Sequence, residues 1–180
     1  MIRKMLLAII AAAPALLVQA PTAAAQQRAT AQIKNTEGKS VGSADLREIK
    51  GGVLISIRAT ALPPGLHAVH VHASGKCEAP AFTSAGPHFN PLAKKHGLKG
   101  ADGPHAGDLP DMYVNKDGVG RYEVLMESVT LAAGKLSILE PDPKAIVIHA
   151  TADDNSTDPS GNSGDRIACG VSSKAGTKGK

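Results

Sequence analysis

The chain has 180 residues with 19 Gly and 12 Pro, a size for one domain and a composition for a turn-rich fold rather than a helical bundle. Two Phe, two Tyr and no Trp leave little material for an aromatic ligand groove or a base-stacking platform. The formal net charge is +4, or +2 once Arg3 and Lys4 are set aside with the leader below, which gives no basis for nucleic-acid binding.

Residues 1–25 read as a secretory leader. Arg3 and Lys4 form its charged start, Met5 to Val18 its apolar stretch with Pro14 inside it, and Ala23-Ala24-Ala25 an A-x-A cleavage site before Gln26. The apolar stretch is short for a membrane span. The expected product is a soluble, exported domain over 26–180, with no membrane association. Residues 26–30 read as a loose lead-in.

From there, short apolar–polar alternations recur between turn signals. Ala31 and Ile33 open the first, which ends at Thr36-Glu37-Gly38. Val53, Ile55, Ile57 and Ala59 alternate with Leu54, Ser56, Arg58 and Thr60 up to Pro63-Pro64-Gly65. Leu66 to His72 is another strand. Asp111 to Asn115 and Val119 to Met126 flank a hairpin signal at Lys116-Asp117-Gly118. Ala145 to Ala150 and Arg166 to Val171 come last. About eight strands and no amphipathic helix predict an all-β sandwich or barrel. Two long irregular segments, 73–110 and 151–165, interrupt the pattern, and loops of that length are usually functional. Residues 172–180, with Lys174, Lys178 and Lys180 among Gly, Ser and Ala, read as a flexible tail.

Cys77 and Cys169 are the two cysteines. In an oxidising compartment such a pair fits one disulfide, two free thiols being the alternative.

The seven histidines all fall between residues 67 and 149. His70 and His72 share one face of a strand, with Val69 and Val71 facing the core. His149 lies on another strand, opposite in face to Ile146, Ile148 and Ala150. Strand imidazoles presented together on an outer face suit copper or zinc. His67 reads instead as a buried, hydrogen-bonded structural histidine. His88, His96, His105 and Asp108 follow at spacings of 8, 9 and 3 in the long loop. Three imidazoles and a carboxylate make the closed set that structural zinc prefers, and a metal would give this Gly- and Pro-rich loop a reason to fold.

Taken together these segments resemble the copper/zinc superoxide dismutases, of the bacterial exported type. Gly65-Leu66-His67-Ala68-Val69-His70-Val71-His72 is similar to the family's copper segment, and Gly86-Pro87-His88-Phe89-Asn90-Pro91 to its bridging-histidine segment. Lys95-His96-Gly97 and His105-Ala106-Gly107-Asp108-Leu109 resemble its zinc segments. Ile148-His149-Ala150-Thr151-Ala152-Asp153-Asp154 and Gly164-Asp165-Arg166-Ile167-Ala168-Cys169-Gly170-Val171 complete the match. The resemblance implies an eight-stranded Greek-key β-barrel, related to the immunoglobulin-like sandwich. It implies one copper ion per subunit on His70, His72, His88 and His149, and one zinc ion on His88, His96, His105 and Asp108. His88 would bridge the two ions and carry a proton in the reaction. Asp153 would hydrogen-bond one histidine of each site, Arg166 would guide the superoxide anion, and Cys77 and Cys169 would form the disulfide.

The implied activity is dismutation of superoxide to oxygen and hydrogen peroxide in the periplasm, protecting the cell envelope. The assembly, monomer or homodimer, is left open. Segment 151–165 holds Asp153, Asp154, Asp158 and Asp165 but no Lys, so steering would fall to Lys94, Lys95 or Lys99. The alternative function is a non-catalytic, exported copper/zinc-binding protein on the same fold.

Overall fold

The computed structural model describes residues 27–176, so the expected leader over 1–25 lies outside the described residues. Ten strand segments build one antiparallel sheet: β1 (Arg28–Asn35), β2 (Ser40–Ile49), β3 (Gly52–Ala59), β4 (Gly65–His67), β5 (Val69–His72), β6 (Met112–Val114), β7 (Gly120–Met126), β8 (Ala145–His149), β9 (Arg166–Val171) and β10 (Ser173–Lys174). Their order is β4-β6-β7-β3-β2-β1-β9-β8-β5. The two ends of that path, β4 and β5, are neighbours in the chain, separated by Ala68. Residues 65–72 therefore close the sheet into a barrel, pairing with β6 through one half and β8 through the other. Counted with 65–72 as a single strand and without the two-residue β10, the barrel has eight strands. The connections from β3 to β4 and from β7 to β8 cross between non-adjacent positions, in Greek-key fashion.

Two of the tight turns are set by asparagine. Asn35 Oδ1 accepts the backbone N–H of Glu37 and Lys39, and Asn115 Oδ1 accepts those of Asp117 and Val119. Each side chain mimics a backbone carbonyl and reverses the chain within four residues. Alternate residues then point inward. Ile33, Leu46, Ile55, Ile57, Val69, Val71, Met112, Val114, Ile146 and Ile148 fill the barrel and are essentially inaccessible.

The structure departs from the sequence reading in four places. The lead-in is not loose throughout, because β1 starts at Arg28 and residues 28–30 already pair with β2. Strand β2 is absent from the alternation pattern because Gly42, Ala44 and Leu46 give a weak apolar rhythm, yet it pairs along its length with β1 and β3. A third irregular stretch, 127–144, joins β7 to β8. It presses Leu131, Ile138 and Leu139 into the core and is tied to β2 by Glu48, whose carboxylate accepts Thr130 Oγ1–H and Leu131 N–H. The tail is not free from 172 onward. Ser172 is buried, its hydroxyl bonded to Ile138 O and Lys144 O, and Ser173–Lys174 pairs with β1.

The disulfide forms between Cys77 and Cys169, with a Cα–Cα distance of 5.7 Å. It fastens the start of the 73–110 segment to β9. Beside it a second apolar cluster of Phe82, Ala85, Ala145, Val147 and Cys169 sits outside the barrel wall. Among the described residues no helix is long and apolar enough to cross a membrane.

Candidate metal centre

The pleat of β5 and β8 sorts the side chains into two sets. Val69, Val71, Ile146 and Ile148 enter the barrel. His70 and His72 leave it on the other side, opposite Val147 and Ala145, with His149 at the end of β8. The expected outer face is thus the right one, but it is not exposed. Phe82 and Ala85 cover it together with the long segments, and His70 and His72 are both 0% accessible.

The free edge of β5 explains how the loop histidines arrive. Val71 N–H donates to Gly107 O at 2.8 Å, Phe89 N–H donates to Val71 O at 2.8 Å, and Gly107 N–H donates to Phe89 O at 2.9 Å. Residues 88–89 and 107–108 thereby cap the edge, as a barrel edge requires. Only glycine fits at 107, where a Cβ would lie 2.2 Å from Val71 O. The same contacts set His88 and Asp108 beside His70 and His72.

Two groups of four side chains result: His70, His72, His88 and His149, and His88, His96, His105 and Asp108. Within each group the ligating atoms lie within 4.8 Å of one another, and His88 belongs to both. In nearly every ring one nitrogen is fixed by a protein acceptor. His70 and His96 donate through Nε2 to Asp153 Oδ2 and Oδ1, at 2.7 and 3.0 Å. His72 donates through Nδ1 to Gly86 O at 2.8 Å. His149 Nδ1 lies 3.2 Å from Gly164 O and 3.1 Å from Ser163 Oγ, whose own proton goes to Ser160 O. His88 Nδ1 lies 2.8 Å from Asp108 Oδ1.

The remaining atoms are His70 Nδ1, His72 Nε2, His88 Nε2, His96 Nδ1, His105 Nδ1 and His149 Nε2. All six are buried and make no hydrogen bond. Leaving one such group unpaired costs about 1–3 kcal/mol, so six converging lone pairs call for cations. Four imidazole nitrogens suit copper, and imidazoles with a carboxylate suit zinc. His96 Nδ1 and His105 Nδ1 crowd Asp108 at 3.1 and 3.3 Å without hydrogen-bond geometry, as co-ligands of one ion would. A third group, His70, His96 and Asp153, is the hydrogen-bonded bridge between the two sets. His67 stands apart, its Nδ1 2.7 Å from His149 O and its Nε2 2.8 Å from Pro63 O.

Burial favours the neutral form of the three strand histidines. Burial pushes His70 down to about 4, His72 to about 2 and His149 to about 3. Asp108 goes the other way from what burial alone dictates. Its hydrogen bonds from His88 and Gly97 N–H outweigh desolvation and hold it well below the usual carboxylate range.

Arg166 is placed by a break in register. Ile148 pairs with Ala168 but His149 pairs with Arg166, so Ile167 is the extra residue of a bulge. The guanidinium donates to Phe82 O at 2.7 Å and to Gly86 O at 2.8 Å. Gly86 O therefore serves both Arg166 and His72. Of the lysines expected to steer an anion, Lys95 pairs with Asp158 and Lys99 donates to Asp154 O.

The eight side chains expected at the two metal groups and their bridge are brought together here, with Arg166 beside them, while His67 is not among them. The reading missed the groups that hold them: Gly86 O, Ser163, Asp111 and Gly161. Backbone carbonyls leave no sequence signal. Gly161 has one only in retrospect, because a Cβ there would lie 1.7 Å from Asp153 Oδ1 and 2.7 Å from His96 Nε2.

Comparison with known proteins bears on this arrangement. The family described as copper/zinc superoxide dismutase (SODC) matches residues 40–172. A protein of Aquifex aeolicus named Cu-Zn superoxide dismutase 2 is 49% identical over 146 residues, covering 80% of this chain and 85% of its own. A Cu-Zn superoxide dismutase of Caulobacter vibrioides is 40% identical over 146 residues, covering 79% and 84%. Among solved structures, a double mutant of a SOD-like protein from Bacillus subtilis superposes with a TM-score of 0.77 at 46% identity, covering 79% of this chain and 95% of that one.

Two outcomes follow from the geometry. Gly161→Ala forces the Asp153 carboxylate off His96, and zinc affinity is expected to fall about tenfold or more in a chelator competition. Unchanged affinity would show that the contact is slack. The second concerns pH. In the unfolded chain His70, His72 and His149 take up protons near pH 6.5, whereas in the folded, metal-free protein they do so only at about 4 or below. Their contribution is therefore complete above about pH 6.5 and is lost as pH falls, at about 1.4 kcal/mol per pH unit for each histidine. Urea unfolding of the metal-free protein between pH 7 and 4 should show that decline; a flat profile would mean that the rings titrate in the folded protein as they do in the unfolded chain.

Proposed function

The chain belongs to the copper/zinc superoxide dismutase family, and from that premise we propose that it converts superoxide into oxygen and hydrogen peroxide. We assign copper to His70, His72, His88 and His149, and zinc to His88, His96, His105 and Asp108. The observation that carries this reading is the set of six buried ring nitrogens without a hydrogen bond, four in the first group and two beside Asp108 in the second, with His88 a member of both side-chain groups. Bound copper supplies reversible one-electron chemistry, and bound zinc a fixed charge that does not change oxidation state. In balance, two superoxide anions and two protons give one oxygen and one hydrogen peroxide.

The residues have separable parts. Arg166 is permanently charged and presents a fork of donors, suited to holding a small anion beside the copper group. Its bonds to Phe82 O and Gly86 O fix the guanidinium before the anion arrives. His88 turns its Nδ1 to the zinc group, 2.8 Å from Asp108 Oδ1, so Nε2 faces the four-histidine group. A proton held at that atom is beside the anion and available for peroxide formation. Asp153 keeps His70 and His96 at a set separation, so neither group can shift without the other.

The leader expected over 1–25 supports export, and with bacterial relatives it supports a periplasmic protein that protects the cell envelope. The rival reading is a metal-binding protein without turnover. It keeps both ions and lacks superoxide consumption.

The deciding experiment is superoxide consumption by the chain loaded with copper and zinc. His149→Ala should abolish activity while zinc stays bound and the β spectrum is retained. Wild-type-like turnover by that variant would exclude copper from this group. Arg166→Glu should leave copper bound but slow turnover at least about tenfold, equivalent to about 1.4 kcal/mol. It should also remove the gain in rate at low salt that attraction of an anion produces. An unchanged rate and salt response would take Arg166 out of anion binding.

A further inference from the structure

We propose that Asp111 is the positioning residue of the metal centre, the fixed point that determines where the Asp153 carboxylate can reach. The proposal rests on the copper and zinc assignment above and adds a residue that neither metal group contains.

Two segments that meet at the centre are held unequally. Asp153 lies on 151–165, which has no strand of its own. Its carboxylate must meet two imidazoles at once, His70 Nε2 at 2.7 Å and His96 Nε2 at 3.0 Å. A side chain with two targets needs a backbone that does not drift. Asp111 provides that stop: its Oδ1 accepts Asp153 N–H at 2.9 Å. Asp111 itself stands on the barrel wall, immediately before β6, whose first residue Met112 is fully buried and pairs with His67. On its other side Tyr122 O–H donates to Pro110 O at 2.8 Å. The segment that carries the anchor also carries Asp108, three residues earlier. One short stretch therefore supplies a zinc ligand and fixes the bridge that aligns the two groups.

The pairing of two acids strengthens the inference. Asp111 and Asp153 repel each other, and both lose hydration in this position. Nearby Lys99 and His67 favour the Asp111 charge without a direct bond to it. An acid kept next to a second acid, and bonded to its backbone, works as an acceptor. A neutral carbonyl can do the same, which separates position from charge.

The test compares Asp111→Asn, which keeps an acceptor oxygen, with Asp111→Ala, which does not. Both are loaded with copper and zinc in the full chain. Zinc affinity is read by chelator competition, copper geometry by the visible absorption band, and the barrel by thermal unfolding of the metal-free protein. Asp111→Ala is expected to weaken zinc about tenfold and to shift the copper band, because His96 and His70 are held by the same carboxylate. Asp111→Asn should restore both to within about threefold and to the wild-type band. The proposal is overturned if Ala matches wild type in both readouts, if Asn is as poor as Ala, or if zinc weakens with no change at copper. It is overturned too if the metal-free Ala variant has lost its cooperative unfolding, since the defect is then in the barrel. A wild-type chain that binds neither ion overturns the metal assignment itself, a result visible before any variant is compared.

Discussion

Five of the six buried imidazoles of the centre are held by one nitrogen so that the other is free, and the rest of the structure depends on that division. A neutral ring has one donor and one acceptor. When Gly86 O or Asp153 takes the donor, the tautomer is set and the lone pair points the opposite way. Six such lone pairs converge, and five of them belong to rings whose other nitrogen lies against a protein acceptor. This is the arrangement by which partners beyond the ligands orient them and raise their basicity. It also explains the burial. Neutral rings survive without water, whereas charged ones would not, and the depressed titration of His70, His72 and His149 is the expression of that choice.

Such a site cannot be built by strands alone, because a barrel has only its outer wall to offer. The wall gives His70, His72 and His149 fixed positions. The other ligands must be carried over it by chain that lacks a core of its own. Backbone bonds to the edge of β5 dock residues 88–89 and 107–108, the disulfide holds the near end of that segment, and Phe82 with Ala85 seals the wall beneath. Arg166 enters by a further device, the bulge at Ile167, which turns a strand residue toward the carbonyl that also holds His72. The two histidine groups, the protected edge and the place of Arg166 are thus products of the same few contacts.

The legible part of this in the sequence was the part with a period or a residue type. Parity on 65–72 separates Val69 and Val71 from His70 and His72, and spacing separates the loop histidines from the strand ones. The hairpin at Lys116-Asp117-Gly118 is likewise a local signal. What failed to show was non-local or backbone-borne. Strand β2 owes its existence to its partners on both sides rather than to its own alternation. Segment 127–144 looks like neither strand nor loop until Glu48, from β2, is seen to bind it. Asp111 has no motif, and its acceptor role exists only because residue 153 is folded against it. The histidines were placed on an outer face because alternation reports which side of a strand a residue is on, and nothing about what later covers that side.

The acidic composition of 151–165 would seem to oppose an anionic substrate, but the bonding of the acids changes their effect. Asp153 is committed to two imidazoles. Asp154 accepts Ser156 N–H and Thr157 N–H on Oδ1, and Thr157 Oγ1–H and Asn162 Nδ2–H on Oδ2, so its charge braces the turn. These bonds hold it well below the usual carboxylate range. Asp158 accepts His96 N–H at 2.6 Å and pairs with Lys95. Lys99 reaches back to Asp154 O. Three of the four acids are therefore internal braces of the segment that carries Ser163 and Gly164 to His149. Lys95 and Lys99 are drawn into the same bracing. Arg166, whose bonds likewise go to carbonyls and not to a carboxylate, keeps its charge beside the four-histidine group. A segment rich in acids can flank an anion's path when its charges are spent on its own architecture.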